Sequence, residues 1–144
     1  MSDLPAPTAE GAAEAGRPHV SHVRVRYAET DQMGVAYYAN YLVWFEVART
    51  DWLRAAGLTY RELEAEGLFL PVIEARCEYR SPARYDDALA VRATARLVSP
   101  VRLAFDYDVS GPGGGVARGL TVHVLLDGRG RPVRVPPRIK ELIG

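Results

Sequence analysis

The chain of 144 residues holds one cysteine, Cys77, and one lysine, Lys140, and its formal net charge is zero. A single thiol excludes an intrachain disulfide and fits a reducing compartment, so a cytoplasmic location is expected. Zero net charge gives no reason to expect nucleic acid or an anionic membrane surface as partner. No run reaches the roughly 18 apolar residues of a membrane-spanning helix. Residues 1–18, MSDLPAPTAEGAAEAGRP, lack the apolar core of a secretory signal and read as a flexible tail. His19, His22 and His123 show no metal-ligand spacing with one another or with Cys77, and no metal or other cofactor is expected. There is no G-x-S-x-G elbow and no G-x-x-x-x-G-K-[ST] phosphate loop. What remains is carboxylate chemistry or none.

An apolar fraction of 48% with 25% charged residues suits one soluble domain, here residues 19–144, with a buried core. From Val20 to Ala28, Val23, Val25 and Tyr27 alternate with His22, Arg24 and Arg26, which predicts a strand with one wet face. The period then changes. From Ala39 to Ala56, Tyr41, Leu42, Trp44, Phe45, Ala48, Trp52, Leu53 and Ala56 recur at helical spacing in a stripe wide enough for a largely buried helix. Asn40 is placed to cap its start and Gly57 to stop it. A second, polar helical stretch, Thr59 to Glu66, ends at Gly67.

Alternation returns four times: around Ile73–Tyr79, Leu89–Leu97, Val101–Val109 and Val116–Leu126. It sets His22 and His123 on the solvent side and Cys77 on the apolar side, as a buried thiol. The connections Ser99-Pro100 and Gly111 to Gly115 are short, so these strands pair as antiparallel hairpins. A last short turn, Arg138 to Ile143, follows Pro136-Pro137. The order β-α-β-β-β-β, with one element apolar enough to cover a sheet, predicts an α+β domain: a five-stranded antiparallel sheet curled around one long helix. Its uncovered edge strands predict dimerisation through an edge.

Asp31 stands where the first strand gives way to that helix, inside ETDQMG. A helix N-terminus presents unpaired N–H groups and the positive end of a dipole, which polarise a carbonyl and stabilise the oxyanion formed on attack. Gly34 and Val35 lie in the turn, where a glycine lets substrate approach the backbone. Tyr37, Tyr38, Tyr41, Trp44 and Phe45 supply aromatic surface for an acyl pocket, beside Asn40. Asp31 could then attack a bound carbonyl directly or activate water, an acyl-transfer chemistry, or be ordinary turn chemistry. Glu46, with Arg49 and Thr50 one turn on, predicts an internal salt bridge rather than a role in a partner's site. Arg80, Arg84 and Arg102 lie near strand ends or turns, where arginine can reach phosphates.

The segment Y-A-E-T-D-Q-M-G-V-A-Y-Y-A-N-Y-L-V-W-F-E resembles the signature of the 4-hydroxybenzoyl-CoA thioesterase family of hotdog-fold enzymes. The resemblance continues in P-V-I-E-A-R-C-E-Y-R-S-P-A-R-Y-D-D-A-L and spans Val20 to about Val135. It implies a hotdog fold and hydrolysis of an acyl-CoA thioester. Asp31 matches the family's catalytic carboxylate, acting as nucleophile or general base. Tyr38 matches a position whose backbone N–H points at the thioester carbonyl. Leu70, before Pro71, matches a position lining the acyl pocket. The family's basic group after the third strand is denser than the Ser99-Pro100-Val101-Arg102 of this chain, so Arg80, Arg84 and Arg102 are expected to bind CoA by their position alone. Where some branches carry histidine this chain reads Tyr37-Tyr38, and no histidine lies between Val23 and Leu120, which argues against a hydratase. The alternatives are cleavage of acyl groups from carrier protein and a non-catalytic hotdog module that binds acyl-CoA. A homodimer or homotetramer is implied.

Overall fold

The structure, a computed structural model, describes residues 17–143. The expected tail lies outside the described residues except for Arg17 and Pro18. The elements are β1 (His19–Arg24), α1 (Asn40–Ala55), α2 (Tyr60–Ala65), β2 (Val72–Tyr79), β3 (Ala88–Ser99), β4 (Arg102–Gly111), β5 (Gly114–Val124) and α3 (Pro137–Ile143). The five strands form one antiparallel sheet in the order β1-β3-β4-β5-β2. This is the arrangement expected from the sequence, with α1 laid across one face.

The stripe of α1 explains its seat. Tyr41, Trp44, Phe45, Ala48, Trp52 and Leu53 are buried, while Leu42, Val43 and Val47 face outward. Against them pack Leu89, Val91, Ala93 and Ala95 of β3 and Leu103, Phe105, Tyr107 and Val109 of β4. Each large side chain removed from water here stabilises the fold by roughly 1.5–3 kcal/mol. The Phe45 ring lies flat on Tyr107, centroids 4.3 Å apart at 5°, directly over Gly119 of β5. The helix stops at Gly57, whose φ of +89° a side chain would resist. Thr59 then caps α2 by accepting the Glu62 N–H at 3.1 Å.

Four expectations need correction. β1 ends at Arg24 rather than Ala28, and a single 3-10 turn, Tyr27–Glu29, follows, which leaves Tyr27 78% exposed. The cap position of α1 is Ala39; Asn40 is the first helical residue, and its side-chain amide donates to the Glu29 carbonyl instead (2.8 Å). Among the described residues Glu46 makes no ion pair with Arg49, whose Nε donates to the Tyr60 hydroxyl at 3.2 Å.

The fourth correction concerns His123, which is buried, not on the wet face. A register shift between Val109 and Ser110 marks a bulge near the start of β5, and beyond it Gly119, Thr121 and His123 face α1 while Leu120 and Val122 form a separate outer cluster with Ala104. The buried polar groups satisfy one another in a fixed direction. The Leu70 carbonyl can only accept, so the His123 Nδ1–H donates to it (3.1 Å) and Nε2 accepts from Thr121 (2.8 Å), which accepts in turn from the Tyr107 hydroxyl (2.6 Å). Burial depresses the imidazole to about 4 and pushes the Tyr107 phenol up to about 12, so both are neutral near pH 7.

Candidate active site

The segment from β1 to α1 is tied down by the backbone of Glu29 and by the strand-to-strand loop at Ala83. The Glu29 carbonyl accepts the Tyr37 N–H at 2.8 Å, and the Ala83 carbonyl accepts the Ala36 N–H at 2.7 Å. Between these ties Asp31 to Gly34 forms a tight turn. Asp31 exchanges backbone bonds with Val35 (2.9 Å) and Gly34 (3.0 Å), and Gly34 holds φ +81°, which the turn requires. Asp31 Oδ1 accepts the Met33 N–H at 2.8 Å. The ordinary turn role is therefore real, but it occupies one oxygen; among the described residues Oδ2 has no protein partner.

A cavity of about 300 Å³ adjoins this turn. Val35, Tyr38, Tyr41 and Tyr79 wall it, with Arg80 and Ser81 on its polar side. The Tyr79 hydroxyl donates to the Tyr38 carbonyl (2.9 Å), and its ring meets Tyr41 edge-on at 4.9 Å. Burial, with Cys77 beside it, holds the Tyr79 phenol well above its ordinary value, and burial raises Tyr41 too. Neither phenol is a base near neutral pH. Burial likewise pushes the half-buried Cys77 thiol up to about 11, which leaves it a poor nucleophile. At the mouth of α1 the Asn40 N–H bonds to Tyr37, whereas among the described residues the Tyr38 and Ala39 N–H groups have no backbone acceptor. The 16-residue helix adds its positive end there.

The sheet register separates the remaining site residues. Val72, His123, Leu103 and Leu97 form one row across the sheet, and Tyr79, Ala117, Val109 and Val91 another. Asp31, Gly34, Val35, Tyr37, Tyr38, Tyr41, Arg80 and Arg84 gather at the Tyr79 end, where Arg84 bridges to Val35. Leu70, Pro71 and Arg102 stand at the opposite end. Phe45, fully buried against Tyr107, belongs to the core, and Asn40 holds the loop. Arg80 is engaged by Glu78 at 2.7 Å.

Sequence reasoning missed a second cavity, about 560 Å³, at the Leu70 end, lined by Leu97, Val98, Pro100, Arg134 and Lys140. The signal was the basic run R-x-x-x-R-x-K from Arg134 to Lys140 around Pro136-Pro137. It also missed Glu29, a buried acid two residues before Asp31. Among the described residues no group of three or more His, Cys, Asp or Glu could hold a metal ion, and no helix is long and apolar enough to cross a membrane.

Comparison with known proteins shows the fold and the family. The acyl-CoA thioesterase YbgC of Haemophilus influenzae is 32% identical over 120 residues, 82% of this chain and 88% of that protein. A 1,4-dihydroxy-2-naphthoyl-CoA thioesterase from Synechocystis superposes with a TM-score of 0.81 at 26% identity, covering 88% of this chain and 95% of the other. A 4-hydroxybenzoyl CoA thioesterase complexed with 4-hydroxybenzoyl CoA shares the fold, with a TM-score of 0.80 at 23% identity over 90% of this chain and all of the other. The family model of the thioesterase-like superfamily matches residues 25–143, and the chain belongs to that superfamily.

Proposed function

We propose that this protein hydrolyses acyl-CoA thioesters to a free acid and CoA, with Asp31 as the reactive carboxylate. The observation that carries the reading is Asp31 Oδ2, without a protein partner among the described residues, on a turn beside a tyrosine-lined cavity, with the Tyr38 and Ala39 N–H groups, which have no backbone acceptor among those residues, at the head of α1. Those N–H groups polarise the thioester carbonyl and hold the oxyanion. Asp31 then acts in one of two ways. It attacks the carbonyl carbon, expelling the CoA thiolate and leaving an anhydride that water opens, or it takes a proton from the water that attacks. No metal or prosthetic group enters either route, and CoA is part of the substrate.

The working unit in this reading is a homodimer paired through β2. β2 is an edge strand, and Val72, Ile73 and Tyr79 are 43%, 46% and 48% exposed on it. Such an edge invites a second copy. Antiparallel pairing of two β2 strands runs Val72 of one chain toward Tyr79 of the other. The partner's Leu70 and Pro71 would then close the acyl cavity, and the partner's Arg102, with the cavity of Arg134 and Lys140, would meet the phosphates of CoA. This accounts for site residues that one chain keeps at opposite ends of its sheet. A single half-buried thiol suits the reducing cytoplasm.

Asp31→Asn tests the reading. The variant is expected to fold, judged by circular dichroism, and to release no free thiol across a series of aliphatic and aromatic acyl-CoAs and acyl-carrier proteins. Parental turnover in the folded variant overturns it. In a single turnover in oxygen-18 water, label entering Asp31 marks an anhydride opened at the aspartyl carbonyl, and trapping of an acylated Asp31 marks one opened at the acyl carbonyl.

A further inference from the structure

We infer that Glu29 is a positioning residue for this reaction, clamping the Asp31 turn to the head of α1. Glu29 is 7% exposed, and both carboxylate oxygens are used. Oε1 accepts the Arg26 N–H at 2.8 Å, and Oε2 accepts the Trp44 indole N–H at 3.3 Å with the Arg26 guanidinium at 3.5 Å. Its carbonyl accepts the Tyr37 N–H and the Asn40 side-chain amide, each at 2.8 Å. One residue thus grips the chain just after β1, the far end of the Asp31 loop, and the first two turns of α1.

The grip matters because the two halves of the proposed chemistry sit on different pieces of chain. The carboxylate rides on the turn Asp31–Gly34, and the N–H groups of Tyr38 and Ala39 belong to the head of the helix. Their separation is set by how the loop is tied to α1. Besides Glu29, the tie at Ala83 fixes the loop to the sheet side rather than to the helix. Catalysis by positioned groups is steep in distance, a misplacement of about 1 Å costing up to about a hundredfold. A buried acid with every acceptor satisfied by loop or helix donors is the device that holds that separation.

The inference rests on the Asp31 reading and is tested beside it. Glu29→Gln keeps the shape but has one oxygen for donors on two sides, so its amide must face either the Arg26 N–H or the Trp44 indole with the exposed, movable Arg26 guanidinium. The folded variant is expected to lose about tenfold in kcat at nearly unchanged KM, with amide exchange in residues 30–37 about tenfold faster and exchange in β3 and β4 unaltered. Adding Trp44→Phe removes the opposed donor and should recover part of kcat. Parental kcat in Glu29→Gln, unaltered loop exchange, or no recovery in the double variant overturns the inference. If Glu29→Gln does not fold, Trp44→Phe alone decides: about threefold lower kcat at constant KM supports the clamp, and parental kcat overturns it. Asp31→Asn measured alongside separates the two failures. An active Asp31→Asn defeats the Asp31 reading, whereas a dead Asp31→Asn beside a parental Glu29→Gln defeats only the clamp.

Discussion

Replacing Gly119 by alanine measures how tightly α1 is seated on the sheet. Gly119 lies in β5 between Tyr107 of β4 and Cys77 of β2, under the Phe45 ring. A Cβ built there falls 2.1 Å from Phe45 Cζ and 2.2 Å from Cε2. Carbon contacts settle near 3.5–4.0 Å, so the ring must retreat by about 1.5 Å. It has nowhere easy to go, being fully buried and stacked on Tyr107. Overpacking of this kind costs about 1–3 kcal/mol, and a backbone-rooted clash with a stacked ring belongs at the upper end. At about 4 °C per kcal/mol for a domain of this size, Gly119→Ala should melt about 10 °C below the parent. Thermal melts by circular dichroism read it directly. Phe45→Leu in the alanine background should relieve the clash, giving a favourable coupling of at least about 1 kcal/mol in the double-mutant cycle. A melting point within about 1 °C of the parent, or strictly additive effects, would refute the close seating.

His123 makes stability depend on acidity. Its folded pKa, depressed by burial to about 4 from 6.5, means the unfolded chain takes up a proton first as pH falls. Its contribution is whole above about pH 6.5 and is lost as pH falls through about 4, a change of roughly 3 kcal/mol. Urea unfolding at several pH values should show a shallower slope for His123→Gln than for the parent over that window; equal slopes would contradict the burial argument. For the β2 edge, Ile73→Glu should turn a dimer into a monomer in sedimentation velocity and remove thioesterase activity while the fold persists. A dimeric or fully active variant would rule out pairing through β2.

Much of the fold was legible because backbone periodicity is local. The switch from period two to helical spacing at Ala39, and the stop at Gly57, put α1 within one residue of its observed bounds. β5 misled for a non-local reason. Val116, Leu120, Val122 and Val124 look like an inward set, but the bulge near Val109 changes the parity, and the inward positions fall to a glycine, a threonine and a histidine. No pattern in one strand announces a bulge whose partner residue lies on the next strand. Tyr27 failed similarly: the 3-10 turn that exposes it is closed by Glu29, a residue that reads as one more loop acid.

The chemistry divides along the same line. Sequence alone determined that Asp31 is the candidate reactive group, because the other reactive types were absent or misplaced and the junction motif carries the family resemblance. It determined the glycine turn and the aromatic surface too, since these follow from residue type at fixed spacing. Only the tertiary structure decided which aromatics wall the cavity, that Phe45 belongs to the core, and that Leu70 and Arg102 stand at the far end of the sheet from Asp31. Distances across a sheet depend on strand order and register, which arise from contacts between segments far apart in the chain. The satisfied carboxylate of Glu29 and the directed chain from Tyr107 to Leu70 belong to that second class, because a buried polar group is defined by the partners folding brings to it.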